Sequence, residues 1–139
     1  MYLLDTNVIS ELRAGKPKQS TAVRAWAARV AASQLYLSAI TVLEVEIGVL
    51  RVERRDGAQG RTLRAWVNEL RAQFASQILP FGEETAQHCA AMHVPDPCSF
   101  RDSMIAATAR QHRLTLVTRN VSDFDGLDIN LLNPWDTAS

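Results

Sequence analysis

The sequence has no net charge, few cysteines and no long hydrophobic run. Its 15 basic and 15 acidic side chains cancel, so no strong field marks the chain as a nucleic-acid-binding protein. Two cysteines, Cys89 and Cys98, are too few for a disulfide framework. No stretch approaches the roughly 18 apolar residues of a membrane span, and the N-terminus lacks the charged and apolar segments of a signal peptide. We therefore expect a cytoplasmic protein without a membrane segment.

The length favours one domain with a hydrophobic core. Domains commonly contain about 100–200 residues, and a domain of about 150 residues buries roughly 70% of its unfolded surface. The hydrophobic fraction of 47% and charged fraction of 22% are ordinary for a globular protein. Because the sequence shows no internal repeat and no second domain, we predict a single domain over residues 1–139.

Short β-rich segments alternate with helical ones along the chain. The predicted strands are residues 1–4, 35–40, 77–81 and 114–118, with a weaker edge strand at 127–132. Alternation of this kind requires parallel strands joined by right-handed crossovers. The pattern therefore predicts an α/β sandwich.

Two helix starts fit the capping box, in which a Ser or Thr precedes an acidic residue by three positions. Thr41 with Glu44 opens one helix, and Ser99 with Asp102 opens another. The first helix leads into a second one, and together they predict a helical hairpin insertion at about residues 41–75.

Four acids occupy strand ends or helix starts. Asp5 follows the first strand, and Glu44 lies in the first helical turn after the second. Asp102 begins the helix that leads to the last clear strand, and Asp123 follows that strand, three residues after Asn120. Because the carboxyl ends of parallel strands share one edge, we expect these side chains to meet there.

Clustered carboxylates point to a divalent cation. Oxygen ligands suit Mg²⁺ or Mn²⁺, and such ions activate water and stabilise charge during phosphoryl chemistry. The structural alternative is that Asp5, Glu44 and Asp102 only cap helices, at about 1 kcal/mol each, while Asp123 forms a turn.

Five segments have a combined order and spacing that is more specific than any one motif. They are LLDTNVISEL (3–12), TVLE with IGV (41–44, 47–49), DSMIAATA (102–109), LVTRN with DF (116–120, 123–124) and LLNPW (131–135). Together they resemble the PIN-domain proteins of the VapC and FitB type. The resemblance implies a PIN-like three-layer α/β/α sandwich around a mostly parallel, twisted sheet of four to five strands.

The resemblance also implies an activity and its ligands. It implies a Mg²⁺- or Mn²⁺-dependent endoribonuclease that cleaves RNA phosphodiester bonds by metal-activated water, as the toxin of a type II toxin–antitoxin system. Asp5, Glu44 and Asp102 would be metal ligands, with Asp123, or in its place Asn120, as the fourth.

Neighbouring polar residues have a supporting role in this interpretation. The resemblance implies that Thr6, Asn7, Thr118 and Asn120 orient the carboxylates or a water. The loop before Asp102 departs from the family, because Pro95, Pro97 and Cys98 stand where relatives often have glycine.

The resemblance implies several partners. They are an RNA substrate, a cognate antitoxin that inserts a helix or tail near the active site, DNA through the antitoxin alone, and a second copy in a homodimer that joins a larger hetero-oligomer with antitoxin. An apolar stripe on the second hairpin helix could receive the antitoxin or belong to the core; it comprises Leu63, Trp66, Val67 and Leu70.

Several arginines could bind RNA phosphates. The predicted contacts are Arg51, Arg54, Arg55 and Arg119. The alternative for the hairpin arginines, which also include Arg61, Arg64 and Arg71, is a solvated face paired with acids such as Glu53.

Two other functions and one other metal site are alternatives. An aspartyl-nucleophile phosphatase needs a second Asp two residues after Asp5, where Asn7 stands. A PIN-like subunit with weak catalysis, acting mainly through an antitoxin and DNA complex, is the stronger alternative. Zinc-ligand types also occur near one helix, but their spacing matches no standard zinc module; they are His88, Cys89, His93 and Cys98.

Overall fold

The computed structural model has a parallel five-stranded sheet within residues 1–136, which are the residues that it describes. The strands are β1 Tyr2–Leu4, β2 Leu35–Ser38, β3 Ile78–Leu79, β4 Thr115–Val117 and β5 Leu131–Leu132. Their order is β3-β2-β1-β4-β5, and every pairing is parallel. The predicted α/β fold is confirmed as far as Asp136, and residues 137–139 of the predicted domain lie outside the described residues.

Six α-helices accompany this sheet in the described part of the chain. They are α1 Thr6–Glu11, α2 Thr21–Arg29, α3 Ala39–Arg55, α4 Gly57–Gln73, α5 Glu83–Ala91 and α6 Phe100–His112. Among residues 1–136, no helix is long and apolar enough to cross a membrane.

The alternation of side chains along β1 creates a core on each face of the sheet. Leu3 is buried with Ile105 of α6, while Leu4 is buried with Val23 and Trp26 of α2. Successive residues of a strand point to opposite faces, so each of these leucines belongs to a different core. The result is the predicted three-layer sandwich with β1 at its centre.

The start of α3 differs from the prediction. Ser38, not Thr41, is the N-cap, and its Oγ accepts a hydrogen bond from the Ile40 N–H at 3.0 Å. Thr41 is buried within the first helical turn, and its Oγ1 has no hydrogen-bond partner among the described residues. The capping box at Thr41 is therefore wrong, and Glu44 lies in the second turn. The other predicted start is correct, because Asp102 N–H donates to the Ser99 Oγ at 3.2 Å.

Helices α3 and α4 pack closely as an antiparallel pair. Asp56 ends α3 and caps α4, with its carboxylate accepting from the Gln59 N–H at 3.1 Å. Gly60 lies inside α4. A Cβ there would stand 2.6 Å from the Cα of Glu53, so glycine permits the close approach of the two helices.

Candidate active site

Asp5 is held in place by two neighbouring strand ends. The residue follows β1, is fully buried, and donates its backbone N–H to the Val117 carbonyl at 2.9 Å. Its Oδ1 accepts from the Thr6 N–H at 2.8 Å, and its Oδ2 accepts from the Thr118 hydroxyl at 2.8 Å. The carboxylate is thus fixed before any ligand arrives.

Glu44 reaches the same edge from α3. The Thr6 hydroxyl donates to Glu44 Oε1 at 2.6 Å, which connects the helix to the end of β1. The sequence predicted this meeting of Asp5 and Glu44, although it placed Glu44 in the wrong helical turn.

The guanidinium of Arg101 joins three acids that come from three different elements. Its Nη2 donates to Asp5 Oδ1 at 2.7 Å and Glu44 Oε1 at 2.8 Å. Its Nε donates to Glu44 Oε2 at 2.8 Å, and its Nη1 to Asp102 Oδ1 at 3.2 Å. We call these four residues the Arg101 cluster. Within residues 1–136, no three acid, histidine or cysteine side chains form a group that could hold a metal ion. In the Arg101 cluster the guanidinium lies among the carboxylates.

Neighbouring groups in the Arg101 cluster stabilise the charged forms of both Glu44 and Arg101. Burial raises the pKa of Glu44, but hydrogen bonds from Arg101 and Thr6, with the charge of Arg101, outweigh it and hold that pKa below its ordinary value. Burial lowers the pKa of Arg101, but Glu44 and Asp5 outweigh it and raise that pKa. The ion pairs therefore persist at neutral pH.

The predicted supporting residues surround the Thr118 hydroxyl. Asn7 Nδ2 donates to Thr118 Oγ1 at 3.3 Å, and the Asn120 N–H donates to it at 3.1 Å. Asn7 Oδ1 also accepts from the Arg119 N–H at 3.3 Å. These contacts orient Thr118, which in turn holds Asp5.

Asp123 is the acid that the structure does not bring into the cluster. It lies in the 3-10 turn Val121–Phe124, where its side chain is exposed. Its backbone N–H donates to the Asn120 carbonyl at 3.0 Å. In the described residues no hydrogen bond or ion pair links its carboxylate to the other three acids.

The predicted RNA-contacting arginines separate into two groups. Arg51, Arg54 and Arg55 are exposed in the last turns of α3, about 10 to 16 Å along the helix axis from Glu44. Arg119 lies at the site edge, with its guanidinium 5.1 Å from the centre of the Trp135 ring. Arg119 is therefore the member of this set that lies beside the acids.

The proposed antitoxin stripe on α4 contributes mainly to the core. Val67 is buried with Val45 and Val49, and Leu63 and Trp66 pack against them. Leu63 and Trp66 also line a groove of about 380 Å³ that reaches Thr6 and Glu44. Residues of this stripe thus pack in the core, and two of them also form one wall of a groove that extends from Glu44.

The zinc-ligand types connect helices instead of converging on a metal. Cys89 Sγ donates to Ser103 Oγ at 3.3 Å, and His93 Nε2 lies 2.9 Å from the same oxygen. Cys98 Sγ donates to the Met92 carbonyl at 3.5 Å. These contacts hold α5 and its following loop against α6.

Arg101 is the site residue that the sequence reasoning missed. A cation in the first turn of a helix opposes the helix dipole, so its position beside Asp102 is an unfavourable local choice. That conflict is the signal that partners from elsewhere in the chain compensate for it.

Comparison with known proteins identifies the fold family. The family model for the PIN domain matches residues 2–129. The chain belongs to the PIN domain family. Among relatives of this PIN domain, Toxin FitB of Neisseria gonorrhoeae (strain ATCC 700825 / FA 1090) is 37% identical, covering 97% of this chain and 99% of the relative. VapC ribonuclease Y4jK of Sinorhizobium fredii (strain NBRC 101917 / NGR234) is 35% identical, covering 99% of this chain and 100% of the relative.

Solved structures show the same PIN architecture. FitAcB from Neisseria gonorrhoeae superposes with a TM-score of 0.89 at 37% identity, covering 98% of this chain and 99% of that one. The structure of FitAB bound to an IR36 DNA fragment superposes with a TM-score of 0.88 at 36% identity, covering 97% of this chain and 96% of that one. The resemblance to the VapC and FitB type is confirmed.

Proposed function

We propose that this PIN domain is a divalent-metal-dependent endoribonuclease and the toxin of a toxin–antitoxin pair. The observation that carries the proposal is the convergence of Asp5, Glu44 and Asp102 on a single guanidinium. The names of the relatives, a toxin and a VapC ribonuclease, support the same class of activity.

The chemistry of the Arg101 cluster fits a divalent cation. Three carboxylates face a single positive charge, that of Arg101. Their ligand atoms are all oxygens, which Mg²⁺ and Mn²⁺ prefer. Asp5, Glu44 and Asp102 would hold the ion. When bound, it would supply Lewis-acid stabilisation of phosphoryl charge and a water of lowered pKa.

The remaining residues keep these acids in position. Thr118 and the Thr6 N–H hold the two oxygens of Asp5, and the Thr6 hydroxyl holds Glu44. Such fixed orientation lowers the cost of assembling a metal site.

The fourth oxygen would come from Asn120 or Asp123. Asn120 is linked to Asp5 through the Thr118 hydroxyl, whereas the exposed Asp123 is one short turn away. Mn²⁺ titration of Asn120→Ala and Asp123→Asn decides between them, because only the loss of a ligand weakens binding.

An antitoxin is the proposed protein partner, and DNA would be reached through it. This rests on the FitAB structure, which is bound to a DNA fragment. The groove lined by Thr6, Glu44, Leu63 and Trp66 provides a place beside the acids for an inserted segment. Homodimerisation and phosphate contacts from the exposed arginines belong to the same proposal.

The test uses purified protein freed of antitoxin. We expect RNA cleavage with Mn²⁺ or Mg²⁺ that stops when EDTA is added. Asp5→Asn and Asp102→Asn should each abolish cleavage and growth arrest, a loss of about 1,000-fold or more. Asp96→Asn, in an exposed loop, is the matched control and should retain both.

Two results would contradict the proposal. Full toxicity of both Asp5→Asn and Asp102→Asn would remove the metal site. Absence of cleavage by the wild-type protein with either metal, together with intact antitoxin binding, would instead favour the weakly catalytic subunit of an antitoxin and DNA complex.

A further inference from the structure

We propose that Arg101 is a built-in competitor of the divalent cation: its guanidinium fills the place between the acids, and metal binds only after it has swung out. This inference rests on the proposed metal-dependent function and adds a specific role for a residue of this chain. It makes Arg101 a residue that sets how much metal the protein requires.

Two of the carboxylate oxygens already accept two hydrogen bonds each, one from Thr6 and one from the guanidinium; they are Asp5 Oδ1 and Glu44 Oε1. Both oxygens of Glu44 and one of Asp5 accept hydrogen bonds from the guanidinium. The other Asp5 oxygen accepts from the Thr118 hydroxyl. A cation that bridges Asp5 Oδ1 and Glu44 Oε1 therefore takes the place of Arg101 Nη2, which lies between these two oxygens.

The guanidinium also opposes a bound cation through its charge. A guanidinium and a divalent cation repel each other strongly at contact distance, above all in a partly buried site where the effective dielectric constant is low. Arg101 is only about one-third exposed, at 34%, and its partner Asp5 is 1% exposed. Water therefore screens this repulsion poorly, and the two cations exclude each other from the space between the acids.

The arginine can leave while Asp5 and Glu44 stay anchored, because the Thr6 hydroxyl still donates to Glu44. Arg101 stands in the first turn of α6, and its guanidinium bonds only polar groups of the site. Asp5 keeps its bonds from Thr6 and Thr118 when the arginine departs. The site that remains is preorganised for metal.

The consequence is a reduced apparent affinity for metal. When only a fraction of molecules has the arginine swung out, the apparent dissociation constant is the intrinsic one divided by that fraction. Arg101 thereby keeps the site closed to metal until the concentration of the ion is high enough.

The experiment compares Arg101→Met with wild type by calorimetric titration of the full chain with Mn²⁺. Arg110→Met is the matched control, since Arg110 is exposed on the same helix, about 13 Å along its axis. We expect Arg101→Met to bind Mn²⁺ about tenfold more tightly, and Arg110→Met to bind as wild type does. Without metal, the melting temperature of Arg101→Met should fall below that of wild type, and Mn²⁺ should raise it further than it raises that of wild type.

Further variants guard against misfolding. Arg101→Gln repeats the test with a neutral polar side chain, and Arg101→Lys should restore weak binding because it keeps the charge. Mn²⁺ binding by folded Arg101→Met or Arg101→Gln that is equal to or weaker than wild-type binding would overturn the inference about Arg101. It would leave the proposed function unaffected. Absence of Mn²⁺ binding in wild type and in all three variants would overturn the proposed function, and the inference with it.

Discussion

Two arginines in this protein each bridge several carboxylates, and their settings differ. Arg64 lies between α3 and α4, where Nη1 bonds both oxygens of Glu46 at 3.0 and 2.8 Å. Its Nε and Nη2 bond the two oxygens of Glu53 at 3.1 and 3.0 Å. We call these three residues the Arg64 cluster. Arg101 instead gathers acids from a strand end and two helices at one edge of the sheet.

The Arg64 cluster joins two helices by ion pairs, whereas the Arg101 cluster has the composition of a cation site. In the Arg64 cluster the donors match two acids that both remain partly exposed, Glu46 at 24% and Glu53 at 33%. In the Arg101 cluster a third acid is added, and one acid, Asp5, is removed from water. The Arg101 cluster thus has three acids for one arginine, and this uncompensated negative charge is the basis of the proposed metal site.

The largest expected effect distinguishes Glu44 from Glu46, which are two residues apart on α3. Glu44→Gln should lower the rate of RNA cleavage about 100-fold or more, because it removes a proposed metal ligand. Glu46→Gln should leave that rate within about twofold, since Glu46 pairs only with arginines of α4. Cleavage of a fluorescent RNA in Mn²⁺ measures both. Equal losses in the two variants would break the distinction between the clusters.

The next effect concerns the hydrogen bond that holds Asp5. Thr118→Val keeps the shape but removes the hydroxyl that donates to a buried carboxylate, so it should lower the free energy of unfolding by about 2 kcal/mol. Thr108→Val is the control: this buried hydroxyl donates only to the Met104 carbonyl of its own helix, and its loss should cost about 0.5 kcal/mol or less. Urea unfolding in metal-free buffer compares the two. A similar loss in both would show that Thr118 does not specifically support Asp5.

The smallest effect is on acid stability. Hydrogen bonds from Arg64 lower the pKa of Glu53 despite a small opposing effect of burial, and the pKa of Glu44 is also lowered in the Arg101 cluster. A lowered folded-state pKa gives stability above the unfolded value of about 4.3, which is lost as the pH falls through the folded value. We expect Glu44→Gln and Glu53→Gln each to flatten the fall in melting temperature below about pH 4.5.

Glu44→Gln should flatten that fall more than Glu53→Gln does, because Glu44 shares its arginine with the fully buried Asp5, whereas both acids of the Arg64 cluster are partly exposed. Thermal melts between neutral and acidic pH, without metal, measure the difference. A larger effect of Glu53→Gln would reverse the ranking of the two clusters.

Most of the fold and three of the four acids could be predicted because both depend on local patterns. Short apolar runs alternate with helices, and the acids follow strands or begin helices. Ser38 and Thr41 show where this fails: both are good caps, and only tertiary packing, which buries Thr41, decides between them. The pairing of Arg64 with Glu53 was among the predicted alternatives and is confirmed.

Arg101 shows a different limit of the sequence. Its partner Asp5 lies 96 residues away, and Glu44 lies 57 residues away. No local pattern encodes contacts over such separations. Asp123 was grouped with the other acids because it follows a strand, but the 3-10 turn leaves its side chain exposed. The sequence shows that a residue follows a strand and therefore lies at the carboxyl edge of the sheet. It does not show in which direction the side chain points.

The central place of β1 in the sheet has a consequence for the order of synthesis. Chains fold from the N-terminus as they leave the ribosome. The hydroxyl that donates a hydrogen bond to Asp5 belongs to Thr118, which is 113 residues further along the chain. Until β4 emerges, a nascent chain carries all three acids of the Arg101 cluster without the neighbouring strand that orients Asp5. The proposed site is therefore completed only after Thr118 has been translated, late in the chain.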